Sequence, residues 1–269
     1  MNVGDNGVLL FGCGKMGSAL LRGWLDAGLP CDQVTVMDPR PSDWLLGLQD
    51  MGVTLNQLPA NAPSVAVIAT KPQIMSEAIP DVKAYGNGAT LFISIAAGTL
   101  IETFETLLGA ETPIVRAMPN TPAAVGKGIT VLVPNGNVLA SQLNAAEMIF
   151  ATVGDTVLLQ DEEQLHAVTA LSGSGPAYVF AMTEALIAAG IGLGLSTDIS
   201  NRLATSTVTG AGALMKELNE HPSHLRETVT SPNGTTAAGL EVLLAQGNGL
   251  AEMFKRCLSA AAERSRELG

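Results

Sequence analysis

Short, continuously apolar runs alternate with amphipathic stretches over the first 160 residues of the chain. The runs are rich in β-branched residues and bounded by Gly, Pro or Asn, a pattern that is typical of strands. They are Val8–Phe11, Val34–Met37, Val65–Thr70, Leu91–Ile95, Ile114–Met118 and Ile129–Val133. Unbroken apolarity is expected when helices cover both faces of a parallel sheet. Lys15–Ala27 and Ile101–Leu108 predict crossover helices, so this half predicts a doubly wound α/β domain.

The pattern changes after about residue 159, where strand signals of comparable strength end. Long, Ala-rich stretches there predict helices. They are Gln164–Ser172, Pro176–Leu195, Asp198–Leu218, Thr236–Gln246 and Leu250–Leu268. Several of these helices are apolar on more than one face, and the helical half of one chain cannot bury all of these faces in a core of its own. We therefore predict two domains, residues 1–160 and 161–269, and an intertwined homodimer through the helical half.

One stretch, Ala177–Leu195, is long and apolar enough to resemble a membrane span, with Glu184 as its single charge. No basic anchors flank it, so we interpret it as a helix buried on all sides. The scattered cysteines Cys13, Cys31 and Cys257 form neither a disulfide framework nor a zinc cluster. They fit a reducing, cytoplasmic compartment, and no basic residue precedes the first apolar run as in a signal peptide.

The net charge of the chain limits the kinds of molecule that it can bind. The chain has 14 Lys and Arg against 25 Asp and Glu, a net charge of −11. Nucleic-acid binding needs a basic face, so we expect no nucleic-acid partner. Charged residues make up 14% of the chain, against about 25% in average proteins. With 47% apolar residues this excludes disorder and indicates an oligomer interface. We expect neither a membrane partner nor a metal site.

The first strand runs into the segment Gly12-Cys-Gly14-Lys-Met-Gly17, and a helical pattern follows. This is the dinucleotide-binding motif GxGxxG in its required context. Gly12 allows a tight turn, Gly14 lets a pyrophosphate approach the backbone, and Gly17 lets the helix pack on the sheet. The helix N-terminus, at Lys15 and Met16, directs free N–H groups and a positive dipole end at the phosphates.

Asp38 follows the second strand about 20 residues after this motif, the usual distance of the acid that binds the adenosine ribose. A carboxylate there accepts hydrogen bonds from both ribose hydroxyls and repels a 2′-phosphate. Arg40, two residues on, can pair with that phosphate instead, or be a solvated surface residue. The choice between NADH and NADPH therefore stays open.

Further strand ends carry unusual loop residues, and ligands of open α/β sheets lie beyond the carboxyl ends of strands. Candidate cofactor contacts at two of these ends are Ala69, Thr70, Lys71, Pro72 and Ala96. In the helical half, the turns predicted at Leu171–Ala177 and Val229–Thr236 are rich in hydroxyls and backbone N–H groups. Such groups at a helix start can bind a small carboxylate, with capping alone as the alternative.

Together these motifs resemble the pyrroline-5-carboxylate reductase family: GCGKMGSAL, ATKPQ, SIAAG, RAMPNTPA, ALSGSGPAY and VTSPNGTTAAGL follow one another in family order. The resemblance implies a Rossmann-type doubly wound sheet followed by an all-α C-terminal dimerisation domain. It implies reduction of 1-pyrroline-5-carboxylate, a cyclic imine carboxylate, to L-proline with NADPH or NADH, in proline biosynthesis. It also implies dimers, which in this family often assemble further, commonly into decamers.

The resemblance also implies site residues. Thr236 is expected to be the key polar side chain, Ser172 to line the opposite wall, and Asn120 to orient the nicotinamide or the loop that meets it, with a structural role as its alternative. Expected substrate-binding residues are Ser174, Gly175, Ser231, Pro232, Asn233, Gly234, Thr235 and Thr236. Asn233 stands where the family usually has glycine, but asparagine tolerates left-handed backbone best among other residues.

Two other functions stay open. A reductase of a related imine or a β-hydroxyacid dehydrogenase shares this plan. Such dehydrogenases typically place a lysine on a C-terminal-domain helix, whereas residues 176–214 contain none and Lys216 ends a helix. A non-catalytic nucleotide sensor is expected to lose the two turns, which are intact apart from Asn233. The residues present no obvious general acid.

Overall fold

A mixed sheet forms the first half of the protein in a computed structural model, which describes residues 3–70, 79–96 and 98–268. Its strands are β1 Val8–Phe11, β2 Val34–Met37, β3 Thr54–Leu55, β4 Val65–Ile68, β5 Leu91–Ser94, β6 Ile114–Met118, β7 Gly128–Pro134 and β8 Gly154–Leu158. Their order in the sheet is β3-β2-β1-β4-β5-β6-β7-β8. Neighbouring strands are parallel except β6 and β7, which are antiparallel.

Helices cover both faces of this sheet. They are α1 Lys15–Asp26, α2 Asp43–Gln49, α3 Ile101–Leu108 and α4 Ala140–Ala151. Val8 and Leu10 of β1 join the core under α1, α2 and α4, whereas Leu9 and Phe11 join the core under α3. Because successive strand residues point to opposite faces, both cores need apolar residues at every position of β1. The doubly wound α/β prediction is confirmed.

The sequence pattern missed several elements of this unit. β3 has two residues, and β8 lies at the edge of the sheet with most of its side chains exposed or half-buried, so neither shows an apolar run. The helices α2 and α4 were not predicted either. The expectation of a parallel sheet was also wrong at β7, which runs antiparallel to β6, because a run of apolar residues does not encode strand direction.

The remaining helices are α5 Leu165–Val168, α6 Gly175–Gly192, α7 Thr197–Leu218, α8 Pro222–Thr228, α9 Thr235–Leu243 and α10 Leu250–Leu268. By compactness the chain forms two units, residues 1–173 with 262–269, and Ser174–Ala261. The second unit is built around α6 and α7, which pack against each other. The predicted domains, 1–160 and 161–269, were divided by the change in sequence pattern and not by compactness, and they stay a prediction.

The prediction that the apolar helix is buried on all sides is wrong for the single chain. No residue of α6 is buried, Phe180 is 64% exposed and Glu184 is also exposed. The helical path Glu162–Gly192 is long and apolar enough to cross a membrane by length and composition alone. That test is weak support for a span, because helices covered by other parts of a protein pass it too.

Candidate active site

The glycine-rich loop turns tightly between β1 and α1. Gly12 has a φ of +86°, and a Cβ there would lie 2.9 Å from the Ala69 carbonyl oxygen of the neighbouring strand end. A Cβ on Gly17 would run into the Gly12 carbonyl oxygen, whereas a Cβ on Gly14 would meet nothing within 4 Å. Gly14 is the N-cap, and Lys15 begins the helix. The loop therefore leaves open space beside a helix N-terminus, as a bound pyrophosphate requires.

Asp38 faces this loop. Its Oδ2 accepts a hydrogen bond from the Cys13 N–H at 2.7 Å, and its Oδ1 accepts one from the Arg40 N–H at 2.8 Å. The Asp38 N–H in turn donates to Asn56 Oδ1 at 2.8 Å. Asn56 has a φ of +54° and was not predicted as a site residue. The Arg40 side chain is exposed, and no ion pair or hydrogen bond is observed for it among the described residues.

Thr70 follows β4, and Ala96 follows β5, at the same edge of the sheet. The Thr70 hydroxyl is buried and has no hydrogen-bond partner within the described part of the chain. Its methyl group lies 3.0 Å from where a Cβ on Gly12 would stand. The Ala96 N–H is buried and donates to Ser94 Oγ at 3.2 Å. Other candidate contacts, Lys71 and Pro72, lie outside the described residues.

These features fit a dinucleotide cofactor. A buried hydroxyl without a partner is costly unless a ligand pairs with it, since such a group costs about 1–3 kcal/mol. The first N–H groups of α1, which have no side-chain cap, provide further donors for phosphate oxygens beside the open space at Gly14. The start of α1 lies at the carboxyl end of β1, and Thr70 lies at the carboxyl end of β4, where open sheets bind ligands.

Cys13 lies within the loop but is chemically protected. Its side chain is 8% exposed, and its Sγ lies 3.4 Å from Ser18 Oγ, which donates to the Cys13 carbonyl at 2.7 Å. Burial raises the pKa of the Cys13 thiol, and the Asp38 carboxylate adds to the rise. Because the thiolate is the reactive form, Cys13 is a packing residue of the loop rather than a nucleophile.

Asn120 connects the end of β6 to the Ser172 segment. Its Nδ2 donates to the Ser172 carbonyl at 3.2 Å, and its Oδ1 accepts from the Ile129 N–H at 3.0 Å. The Ser172 hydroxyl donates to the Val168 carbonyl at 3.1 Å. The structure thus shows Asn120 positioning the segment. A contact with cofactor or substrate stays a prediction for both residues.

The Ser172 segment joins two helices as predicted, but its turn is itself helical, which was not predicted. Thr169–Gly173 forms a π-helical turn between α5 and α6. A Cβ on Gly173 would lie 2.8 Å from Met118 Cε, so the segment lies close to the Met118 side chain at the end of β6. Serine hydroxyls and glycines favour turns from sequence, but here the hydroxyl bonds back to the preceding helical carbonyl. Single π-turns of this kind often occur at functional sites.

The second predicted turn does exist and begins α9. Asn233 has a φ of +59°, which confirms that asparagine takes the left-handed conformation at this position. The Gly234 N–H donates to the Ser231 carbonyl at 3.1 Å, and Gly234 caps α9 without a side-chain hydrogen bond. Thr235 and Thr236 are exposed in the first turn of the helix. Their N–H groups and hydroxyls are available to an anion.

A buried ion pair near β6 was also missed. Arg116 is 6% exposed, and its guanidinium lies 2.7 Å from Glu162 Oε1. The same oxygen accepts a hydrogen bond from the Ile101 N–H at 3.0 Å, at the start of α3. An arginine inside an otherwise apolar strand was the available signal, because a buried charge needs a partner.

Comparison with known proteins decides the family. A family model described as pyrroline-5-carboxylate reductase dimerisation matches residues 162–268, and one described as NADP oxidoreductase coenzyme F420-dependent matches residues 7–98. A pyrroline-5-carboxylate reductase of Pseudomonas aeruginosa is 36% identical over 264 residues, 97% of this chain and 96% of that protein. The chain belongs to the pyrroline-5-carboxylate reductase family. The resemblance inferred from the motifs is confirmed.

Solved structures of this family share the fold. A pyrroline-5-carboxylate reductase of Coxiella burnetii superposes with a TM-score of 0.91 at 35% identity, covering 99% of both chains. A Plasmodium falciparum pyrroline carboxylate reductase with NADP bound superposes with a TM-score of 0.81 at 30% identity, covering 98% of both chains. The Rossmann-type domain and the all-α dimerisation domain are therefore confirmed, and the dehydrogenase and sensor alternatives are not favoured.

Proposed function

We propose that the chain reduces 1-pyrroline-5-carboxylate to L-proline with NADPH or NADH, the last step of proline biosynthesis. The observation that carries the proposal is the glycine-rich loop, open at Gly14 and adjoined by the unpartnered Thr70 hydroxyl, in a chain of the pyrroline-5-carboxylate reductase family. When bound, the cofactor supplies the hydride. The residues proposed to hold it are Gly12, Gly14, Lys15, Met16, Gly17, Asp38, Arg40, Ala69, Thr70, Lys71, Pro72 and Ala96, and the described ones among them lie around the carboxyl ends of β1, β2, β4 and β5.

The substrate carboxylate is proposed to bind at the N-terminus of α9. The first N–H groups of a helix and its positive dipole end favour a carboxylate. Thr236 is exposed in this first turn, so its hydroxyl is free to contact the carboxylate or the ring nitrogen. The proposed substrate-binding residues are Ser174, Gly175, Ser231, Pro232, Asn233, Gly234, Thr235 and Thr236.

The reaction requires few groups from the protein beyond those that orient the cofactor and the imine. The ring nitrogen carries a proton, so the adjacent carbon of the iminium accepts a hydride and the nitrogen becomes the amine of proline. Holding the reacting atoms about 3–3.5 Å apart supplies much of the rate. We propose Thr236 as the side chain at the ring nitrogen, Ser172 as a second catalytic residue, and Asn120 as the residue that positions Ser172. Substrate that is already protonated in solution needs no general acid.

Self-association is supported by the match to the family's dimerisation model over residues 162–268. We propose a homodimer that covers α6, whose apolar side chains are uncovered in the single chain. We also propose, from the family resemblance, that the dimers assemble into a decamer. The scattered cysteines support a cytoplasmic location.

The test is oxidation of NADPH and NADH, followed at 340 nm with racemic 1-pyrroline-5-carboxylate, with proline identified in the product. Turnover with proline formation is expected with at least one cofactor. The six-membered cyclic imine carboxylate and a β-hydroxy acid serve as comparison substrates. Cofactor binding without turnover of the five-membered imine would contradict the proposal and favour a related imine or a sensor.

A further inference from the structure

We propose that Asp38 is a positioning residue that holds the glycine-rich loop in its cofactor-binding shape. This inference rests on the proposed function, because it concerns how the same cofactor site is built. It goes beyond that function by assigning the loop a specific anchor. This role is distinct from the one that its sequence position predicts, which is acceptance of hydrogen bonds from the ribose.

The direction of the carboxylate carries the argument. Oδ2 accepts the Cys13 N–H at 2.7 Å, and Oδ1 accepts the Arg40 N–H at 2.8 Å. Both oxygens are therefore bound to backbone N–H groups of the protein before any ligand arrives. The Cys13 bond joins two segments that lie 25 residues apart in the chain. Hydrogen bonds to an ionised acceptor are short and about twice as strong as neutral ones.

The backbone around Asp38 is fixed from two further sides. Asn56 Oδ1 accepts the Asp38 N–H at 2.8 Å, and the Gly12 N–H donates to the Met37 carbonyl at 2.8 Å. The Asn56 N–H donates to the Val36 carbonyl at 2.8 Å. Asp38 thus sits on a rigid strand end and holds Cys13 between the two glycines of the turn. Losing its acceptor oxygens would free the loop, which then has to be ordered again on binding.

A loop anchor and a ribose acceptor predict different outcomes. The loop is proposed to contact the pyrophosphate, which NADPH and NADH share, so a loosened loop should weaken the binding of both cofactors by the same factor. A ribose acceptor contacts the hydroxyl that NADPH replaces with a phosphate. Removing the negative charge then costs NADH affinity and improves NADPH affinity. The ratio of the two dissociation constants separates these roles.

The experiment compares Asp38→Asn and Asp38→Ala with Asp50→Asn. Asparagine keeps one acceptor, alanine keeps none, and Asp50 is an exposed carboxylate just after α2. Dissociation constants for NADPH and NADH are measured by fluorescence without the imine. We expect Asp38→Asn to raise both about tenfold, equivalent to about 1.4 kcal/mol, with a larger rise for Asp38→Ala. Asp50→Asn should leave both dissociation constants, kcat and the KM for the imine at their wild-type values.

A merely structural role lowers Tm but leaves the cofactor affinity of the folded variant unchanged, which would overturn the inference. So would a loss confined to NADH, or a gain for NADPH. Amide hydrogen exchange of the wild-type chain gives a second test that does not depend on a variant folding. The Cys13 amide should be protected, whereas the Gly14 amide, for which the described residues show no acceptor, should exchange fast. Equal, fast exchange at both amides would also overturn the inference. Wild-type protein that binds neither cofactor would instead contradict the proposed function.

Discussion

Replacement of Thr70 by valine should make the unliganded chain more stable and bind NADPH more weakly. The two side chains have the same shape, and only the hydroxyl is lost. That hydroxyl is buried at the carboxyl end of β4 and has no partner in the described parts of the chain. In the unliganded chain, the buried hydroxyl therefore lowers the stability of the fold, and a hydrogen bond to the proposed cofactor would offset this loss.

The magnitude follows from the environment of the hydroxyl. An unsatisfied buried polar group costs about 1–3 kcal/mol, so its removal should stabilise the free chain by about 1 kcal/mol or more. For a chain of this size that raises Tm by about 2–4 °C. A hydrogen bond to a charged phosphate contributes about 1.5–3 kcal/mol, so the dissociation constant for NADPH should rise about tenfold or more.

Thr90 provides a matched control. It is also a buried threonine of the sheet unit, but its hydroxyl donates to the Pro63 carbonyl at 2.7 Å. Thr90→Val should lower Tm, because it leaves a carbonyl without its donor, and should not change cofactor affinity. Tm is measured by calorimetry without ligand, and binding by titration with NADPH. A Thr70→Val protein that loses stability like Thr90→Val, with unchanged affinity for NADPH, would refute the reasoning.

Three further predictions concern other parts of the site. Thr236→Ala should lower kcat/KM for the imine about tenfold or more, since it removes a polar contact near the reacting ring; an unchanged value removes Thr236 from the mechanism. Glu162→Ala should lower the free energy of unfolding in urea by about 3 kcal/mol, because it leaves the buried Arg116 guanidinium unpaired. A loss well under 1 kcal/mol would show that the guanidinium finds another acceptor. Burial raises the pKa of the Cys13 thiol, so native protein at pH 8 should expose at most two of its three cysteines to a thiol reagent; rapid reaction of all three contradicts this.

Elements with strong local signals were predictable from sequence. The bounds of β1, β2, β6 and α3 agree with the predicted ranges, because each is an apolar run or a helical repeat between clear breaks. The glycine-rich loop was predictable for a related reason. Only glycine permits the φ of +86° at Gly12 and the contact between Gly17 and the Gly12 carbonyl.

Features set by long-range contacts were not predictable in this way. The orientation of the Asp38 carboxylate depends on Cys13, which lies 25 residues away in sequence. The π-turn at Thr169–Gly173 lies close to Met118, and its Ser172 carbonyl accepts a hydrogen bond from the Asn120 amide, both of which lie about 50 residues away in sequence. Burial of α6 was expected from its apolarity, but in the single chain that surface is left uncovered.

Hydride transfer to the imine carbon is the central claim, and isotope transfer tests it most directly. In one reaction the protein is incubated with 1-pyrroline-5-carboxylate and NADPH that carries deuterium at both C4 positions of the nicotinamide. In a second reaction the NADPH is replaced by NADH with the same labels. The product is analysed by mass spectrometry and NMR. The account predicts proline with one deuterium, located at C5, the former imine carbon. Proline without deuterium, or no proline from either cofactor, would contradict it.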